Sequence, residues 1–575
     1  MRTLRVIAKS SVFCSPSPGK NNQFQLPVKK QIELFIFSLP ALIGVSLGLG
    51  IWVGATLFGG QGRGKEMGAS IEKFREVLGI LDGEYVDTLD PNRVTENVLN
   101  HLLEGLDPHS SYIPQEDIEL SHSSLESGFE GIGIEFLIVE DTVQVISALK
   151  GGPSDMVGIL PGDRLFSANG VRLTGRQVSN REVFQNLRGK KGSTVELEIK
   201  RVGYSKLLRF SVVRSHVSSQ SVEASFLINP KTGYLKISKF SDNTYLECKE
   251  ALLKLKSSGA VSIILDVRDN PGGYLDRATR LVDEFLPENR LIVFTDGKAK
   301  KYDQQYFSSE GGIFQKEPLI VLVNEGSASA SEILAGAIQD NDRGLILGRR
   351  TFGKGLVQVP ISLKDGSELR LTISRYFSPS GRCIQKPYRH SDVGYNFELD
   401  KRRQTGELFW RDSIHPDKVE KFETLGGRTV YGGGGIIPDV FIPLDTLTMN
   451  PFLIALMQKN LFREFALSYF KKHEKELLMQ KKRLEPSQLQ LKPEVMKEFV
   501  EMTLLRKIDW PIHRQRIETE SFLQHMIKAY IARLIWGDNG YYQIMCLRDP
   551  MIQTALRKMP EANRLFTQNL HKYRN

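Results

Sequence analysis

The chain has 575 residues, 41% hydrophobic and 25% charged, the composition of a folded protein long enough for about three or four domains. Its net charge of +10 sits at the ends: residues 1–32 hold six Lys or Arg and no acid, and residues 451–575 hold 22 basic and 13 acidic residues. That leaves −5 for residues 33–450, which argues against a polyanion groove in the body, and the four cysteines (Cys14, Cys248, Cys383, Cys546) form no C-x-x-C pair, which excludes a zinc framework or a disulfide scaffold.

Residues 1–33 read as a cytoplasmic segment. Residues 34–58, LFIFSLPALIGVSLGLGIWVGATLF, run without a charge. That exceeds the roughly 20 residues needed to cross a bilayer core. Lys29 and Lys30 just before the run keep the N-terminus inside by the positive-inside rule. The run is too long for a signal-peptide core and no clear small-x-small site follows, so an uncleaved single-pass anchor is expected, with a cleaved signal peptide as the alternative. Residues 70–125 read as a helical region, because Ile71, Phe74, Val77, Leu78 and Leu81, then Val94, Val98, Leu102 and Leu103, recur at helical intervals. LDPHSSYIP (106–114) closes it with turn residues.

Residues 126–215 form a β-rich module. GFEGIGIEF and TVQVISAL precede a Gly-rich stretch, an amphipathic helix is expected near Asn180–Leu187, and the turn RGKKG introduces the strands TVELEIKRV and LLRFSVV. In residues 216–450 strands and helices alternate: TYLECKEALLKLKSSG, LDRATRLVDEFLP and SEILAGAIQDN read as helices, and VSIILDVRD, PLIVLVN, RGLILG, LVQVPISL and LRLTISRYF as strands. Such alternation argues an α/β core whose sheet is covered by helices. Residues 451–575 turn helical and basic, and the charge reads as a solvated face.

Chemistry concentrates in NEGSASASEILAGAIQDNDRGLILGRRTFGKGLVQ (324–358). A serine placed where the strand PLIVLVN gives way to a helix meets unpaired backbone N–H groups and the positive end of the helix dipole, which favour a developing oxyanion. Ser329 or Ser331 equally reads as a plain N-cap. No histidine lies in this stretch. Lys354, between Gly353 and Gly355, supplies a base if burial lowers its pKa, as in serine–lysine variants of the triad. The turn NPGG (270–273), also at a strand end, offers free amides. His109 reads as structural and Asp340 as a helix-end cap or a neighbour of the site; no Asp/Glu/His cluster implies a metal, and no cofactor is expected.

The Gly-x-Gly ahead of a strand at 131–134, with GILPGDRLFSANG after it, resembles a PDZ domain. With LDPHSSY, LDVRDNPGG, SASASEILAGA, TFGKGLVQ and YGGGGIIPDV in order, the chain resembles the C-terminal processing peptidases, exported serine peptidases with an inserted PDZ domain. The resemblance implies a crotonase- or Clp-protease-like α/β core, here joined to an N-terminal transmembrane helix and a helical C-terminal extension. It implies Ser329 as nucleophile, Lys354 as general base and Gln358 as the residue orienting the lysine. It also implies an oxyanion hole from the Ala330 amide and that of Gly272 or Gly273, and capture of a substrate's C-terminal carboxylate by Gly131, Ile132, Gly133 and Ile134. Arg188, opening the RGKKG turn, is a candidate cation for that carboxylate or for the protease core, and also reads as a solvated turn residue. Positions four apart on a regular strand lie about 13 Å apart, so Gln358 reaches Lys354 only if the glycines break the strand. The partners implied are proteins with accessible C-termini and a membrane, with a homodimer or adaptor compatible and no nucleic acid; the placement implied is the bacterial inner membrane with the catalytic part in the periplasm or extracytoplasmic space, an organelle lumen being the alternative. Two rival readings are a crotonase-like acyl-transfer enzyme and a membrane-anchored PDZ scaffold with an inactive core.

Overall fold

A computed structural model describes Leu49 and residues 63–569, apart from 124–125, 127, 140, 150–151, 161, 176–177, 202–203, 389–392, 396, 415–419, 446–449, 507, 509 and 511–512. The expected anchor at 34–58 lies outside the described residues except for Leu49, and among the described residues no helix is long and apolar enough to cross a membrane. Helices α1 (Arg63–Glu84) and α2 (Pro91–Glu104) carry the periodicity noted above. Pro91 opens α2, where its missing N–H is no loss, and Asp90 accepts from the Asn92 amide at 3.0 Å. LDPHSSYIP is not only a turn: β1 (Ser111–Ile113) pairs antiparallel with residues 368–370, a partner about 250 residues away that local patterning does not contain, and α3 (Ile118–Ser123) follows.

The PDZ module is inserted on a two-stranded stem, β2 (Gly128–Gly131) against β9 (Ser215–Ser218), so the chain enters and leaves it side by side. Between them lie β3 (Ile134–Val139), β4 (Thr142–Ala148), α4 (Pro153–Met156), β5 (Arg164–Ala168), β6 (Val171–Arg172), α5 (Asn180–Leu187), β7 (Thr194–Lys200) and β8 (Leu208–Val213). Helix α5 starts where the Ser179 hydroxyl accepts from the Glu182 amide at 3.2 Å, an N-cap. The strand order β3-β4-β5-β7-β8 leaves β3 at the sheet edge. Alternation in β7 buries Val195, Leu197 and Ile199 against Val143, Leu165 and Val183.

The core begins with β10 (Val222–Asn229), β11 (Thr232–Ile237), α6 (Thr244–Ser257), β12 (Ser262–Asp266) and α7 (Leu275–Asp283). It continues through β13 (Leu291–Gly297), β14 (Gln304–Phe307), β15 (Leu319–Val323), α8 (Ala330–Asp340), β16 (Leu345–Gly348), β17 (Leu356–Ser362) and β18 (Glu368–Phe377). After α9 (Glu398–Gln404) come the short strands β19 (Lys421–Glu423), β20 (Thr429–Tyr431) and β21 (Val440–Phe441). One sheet runs β10-β11-β12-β15-β16-β21, parallel except for β10 against β11. A second, antiparallel sheet has β18 at its centre, flanked by β17, β1 and β13, with β14 outside β13.

Strand β15, LIVLV, has no polar residue because both faces of the sheet are covered. Leu319, Val321 and Val323 pack with α7 and α8, whereas Ile320 and Leu322 face the other way. That second face is covered by the C-terminal extension: α10 (Pro451–Gln458), α11 (Leu461–Lys481), α12 (Val495–Leu505), α13 (His513–Trp536), α14 (Asp538–Cys546) and α15 (Pro550–Asn569). Met551, Ile552, Ala555, Met559 and Ala562 of α15 meet Ile320, Leu322, Leu345 and Leu347. The extension is therefore more than a charged, solvated face. Its charges lie outside, but α10–α14 build an apolar core of their own around Phe462, Phe465, Phe499 and Ile527, and α15 is a layer of the α/β core.

Candidate active site

Ser329 occupies the turn between β15 and α8 and is the N-cap of α8, with φ 51° and ψ −114°. A residue with a Cβ avoids this region unless its surroundings hold it there. The restraint is visible. The buried Glu332 carboxylate, three residues on, accepts from the Ser329 amide at 2.8 Å, half of the reciprocal arrangement of a capping box. The same carboxylate accepts from the Thr351 hydroxyl (2.5 Å), the Gly353 amide (2.7 Å) and the Lys354 amide (2.9 Å). From the other side the Tyr376 hydroxyl lies 2.5 Å from the Lys354 carbonyl oxygen and 3.1 Å from that of Ser329. The two residues 25 apart in sequence are thus fastened to one carboxylate and one phenol. Burial pushes the Glu332 carboxyl up to about 7, against the four hydrogen bonds that favour its charge.

Lys354 stands in an irregular segment, 351–355, ahead of β17. Gly353 is at φ 90°, and a Cβ there would sit 3.1 Å from the Gly434 and Gly435 backbone, so the YGGGGIIPDV run forms the wall behind the lysine loop. Burial, then the nearby Arg370 guanidinium, lowers the Lys354 pKa; Glu332 and Asp107 work in the opposite direction. Among the described residues the Lys354 amine donates to no protein group and makes no hydrogen bond to the Ser329 side chain.

Gln358 lies inside β17, past a register shift between Val357 and itself. Its amide donates to the Thr372 hydroxyl at 3.3 Å and, among the described residues, makes no hydrogen bond to Lys354. The Thr372 hydroxyl in turn donates to Asp107 at 3.0 Å. Asp107 also accepts from the His109 and Ser110 amides and the Ser110 hydroxyl (2.6 Å). Burial alone would raise its carboxyl, but these hydrogen bonds, the Ser110 hydroxyl foremost, hold it below its ordinary value. His109 is bonded to the Tyr395 hydroxyl at 2.8 Å, and burial first, then the Lys354 charge, pulls its pKa down to about 4. The LDPHSS turn, read from sequence as a structural element, therefore lines the lysine's surroundings as a neutral histidine and an ionised aspartate. Asp340 is a structural group: it pairs with the fully buried Arg382 at 2.6 Å and accepts from Ser380.

The NPGG turn abuts the serine. Gly272 is at φ 98°, and a Cβ there would lie 2.7 Å from the Ser329 Cβ and 2.9 Å from the Ala330 nitrogen. No other residue type fits that approach. The Gly272 amide donates to the Asn270 side chain at 2.9 Å, and the Asn270 carbonyl accepts from the Ala328 amide and the Ser331 hydroxyl at 3.0 Å. Among the described residues the Ala330 and Gly273 amides donate to no protein group.

In the PDZ module Gly133 is at φ 70°. The Ile132 and Gly133 carbonyls accept from the Ser154 and Leu149 amides at 3.0 and 2.9 Å, and the Ile132 side chain is buried in the module's core, so it offers a groove only its main chain. Ile134 begins the edge strand β3, which faces α5 through an edge-to-face pair, Phe136 and Phe184. Arg188 is not a freely solvated turn residue. Its guanidinium lies 4.6 Å from the Phe129 ring centre and 4.7 Å from that of Phe184, and its Cα stands 3.6 Å from where a Gly131 Cβ would be.

Sequence reasoning missed Glu332, Tyr376, Thr372 and Asp107. Glu332 was within reach, because Ser329-Ala330-Ser331-Glu332 has the Ser-x-x-Glu spacing of a capping box. Tyr376 and Thr372 come from β18, and no local pattern announces that strand's approach.

Residues 231–394 match Peptidase family S41, residues 131–212 a PDZ domain, and residues 452–537 a family of unknown function, DUF8443. The chain is 34% identical over 353 residues to a carboxy-terminal-processing protease of Bartonella bacilliformis (strain ATCC 35685 / KC583 / Herrer 020/F12,63), covering 59% of this chain and 80% of the relative. It is 32% identical over 327 residues to the carboxy-terminal processing protease CtpB of Bacillus subtilis (strain 168), covering 56% and 67%. Among solved structures it is similar to a photosystem II D1 C-terminal processing protease, at 26% identity over 65% of this chain and 87% of that one, with a TM-score of 0.34.

Proposed function

Since the chain belongs to peptidase family S41, together with relatives that are carboxy-terminal-processing proteases, we propose that it is a serine endopeptidase that cleaves proteins near accessible C-termini, with Ser329 as nucleophile and Lys354 as base. The observation that carries this reading is the shared clamp of Glu332 and Tyr376, which holds the backbones of both residues in one frame. In this mechanism the neutral Lys354 amine takes the Ser329 proton as Oγ attacks the scissile carbonyl carbon. The resulting oxyanion accepts from Ala330 and from the NPGG turn, where the Gly273 amide is free and that of Gly272 is shared with Asn270. Collapse breaks the C–N bond, and the Lys354 ammonium returns its proton to the leaving amine. Water then opens the acyl-enzyme with Lys354 again as base. Gln358 acts one step removed, through Thr372 and Asp107.

The PDZ module delivers the substrate. A peptide tail adds to the open edge of β3, with its carboxylate at the Gly131–Ile134 loop, where the Ile132 and Gly133 carbonyls are already engaged and do not compete with it. Arg188 stands at that end of the groove as a cation fixed between two rings. Residues 34–58 serve as an uncleaved anchor that holds the catalytic part outside the cytoplasm at a bacterial inner membrane. Their unbroken apolarity and the lysines before them support this reading. The division 126–215, 216–450 and 451–575 is proposed as the working domain plan, α15 being functionally part of the core.

The test is mass spectrometry of envelope proteins from cells carrying the wild type or Ser329→Ala. Proteins that gain new C-termini only with the wild type are the expected result. Identical C-termini, with no labelling of Ser329 by a fluorophosphonate, would remove the proteolytic reading.

A further inference from the structure

The extension beyond the matched stretches reaches the turn that faces Ser329. Asp266, at the end of β12, is buried and holds the Arg268 guanidinium through Nε (3.0 Å) and Nη2 (2.6 Å). The remaining arm of Arg268, Nη1, donates to Asp549 at 2.6 Å. Asp549 is itself fixed, because its other oxygen accepts from the Met551 amide at 2.8 Å and so caps α15. That helix is anchored on the sheet by Met551, Ile552 and Ala555. Lys236 donates to the Arg268 carbonyl at 2.5 Å, so main chain and side chain of Arg268 are both held.

The residues just after Arg268 are the strained part of the site. Asp269 is at φ 58° and exchanges hydrogen bonds with Asn324, its amide and its carboxylate each 2.8 Å from the Asn324 carboxamide. Asn270 then holds the Gly272 amide and accepts from Ala328 and Ser331, next to Ser329. An unbroken line of contacts runs from the cap of α15 through Arg268 to the NPGG turn.

We propose that Asp549 is a positioning residue for the oxyanion turn, so that the C-terminal extension forms part of the peptidase site; this rests on the proteolytic reading above. The pair borders a cavity of about 1080 Å³ between the ends of the sheet strands and the extension, and its side chains are 19% and 20% exposed. Arg268 keeps its hydrogen bonds to Asp266 whatever stands at 549, so loss of the Asp549 charge does not leave the guanidinium unpaired. The effect of the pair is geometric, because it sets where the backbone before the oxyanion donors stands.

Asp549→Asn separates the two roles of this residue, since asparagine caps a helix as well as aspartate but carries no charge for Arg268. In the full chain this variant is expected to acylate Ser329 with a fluorophosphonate about tenfold more slowly, a fraction of the loss seen when an oxyanion donor is removed outright. Hydrogen exchange at 269–273 should rise, while melting temperature and affinity of the PDZ module for a peptide tail stay unchanged. Asp549→Glu should recover part of the rate. Unchanged exchange at 269–273 in Asp549→Asn, with only Asp549→Ala melting earlier, would reduce Asp549 to a helix cap and overturn the proposal. Faster exchange in a protein whose wild type is not labelled at Ser329 would leave the link between extension and turn standing and reject the proteolytic reading alone.

Discussion

A side chain held at φ 51° costs of order 1–3 kcal/mol, and at Ser329 the cost is met by the hydrogen bonds of Glu332 and Tyr376. Glu332 is then more than a cap. Its carboxyl, raised to about 7 by burial, must be ionised to accept all four donors, so protonation loosens Ser329 and Lys354 together. The sign is direct: acid protonates Glu332, and activity should fall as pH drops through about 7. In Glu332→Gln that limb of the kcat/KM profile should vanish, with the maximum lowered by about tenfold to a hundredfold, as for loss of a group that orients a catalytic pair. A limb at 7 that persists in Glu332→Gln would shift the assignment to another group. Lys354, whose pKa burial lowers, adds a separate rise with pH as its amine loses its proton. Lys354→Arg should be as inactive as Lys354→Ala in a cleavage assay, because a guanidinium stays protonated. Turnover in Lys354→Arg beside an inactive Ser329→Ala would mean that another base serves Ser329.

At the scale of elements, β3 decides how substrates are chosen. An edge strand with an unpaired side accepts another strand by main-chain bonds, and the loop before it meets the chain end. Amidating the C-terminus of a peptide substrate should therefore raise KM sharply with little change in kcat; equal KM values for acid and amide would end the role of the 131–134 loop. Arg188→Ala should weaken cleavage of tailed proteins by about tenfold, the scale of one charge-assisted contact, and leave acylation of Ser329 by a small probe intact. The rate of the small-probe reaction is the control that separates groove from active site. The helix α8 behaves differently: all eleven of its residues are buried, so its register, and with it the place of Ser329, is set by packing on every side.

For the whole molecule, the extension is the part whose loss should matter most. Removing α15 uncovers the sheet face of Ile320, Leu322 and Leu347 and deletes the buried side chains of Met551, Ile552, Met559 and Phe566. At roughly 1.5–3 kcal/mol for each large apolar side chain, the loss is of the size of a domain's entire stability of about 5–15 kcal/mol. A chain ending at residue 549 is expected to be insoluble or to melt far below the full chain in calorimetry. Cell fractionation of the full chain against one beginning at residue 63 tests the anchor: the first should sediment with membranes and resist salt, the second should not.

Much of the site was legible because its residues sit where strands end. Ser329, Lys354 and the NPGG turn occupy short motifs whose glycines and small residues mark close backbone approach, and short apolar runs marked β12, β15 and β16. The sequence also determined the PDZ insertion, since its turns and strands are spaced locally. Tertiary structure alone decided what crosses the chain. Gln358 lies within β17, beyond the irregular segment that carries Lys354, and finds Thr372 on β18, and His109 and Asp107 arrive beside Lys354 from some 250 residues upstream. β10, β13 and β14 are partly buried strands with weak alternation, visible only through the partners that pair with them. The basic extension looked solvated because charge is read per residue, whereas burial depends on which face a helix turns inward. Nothing in the apolar run of β15 names its second cover; only folding brings α15 onto it, and with α15 comes the carboxylate that meets Arg268.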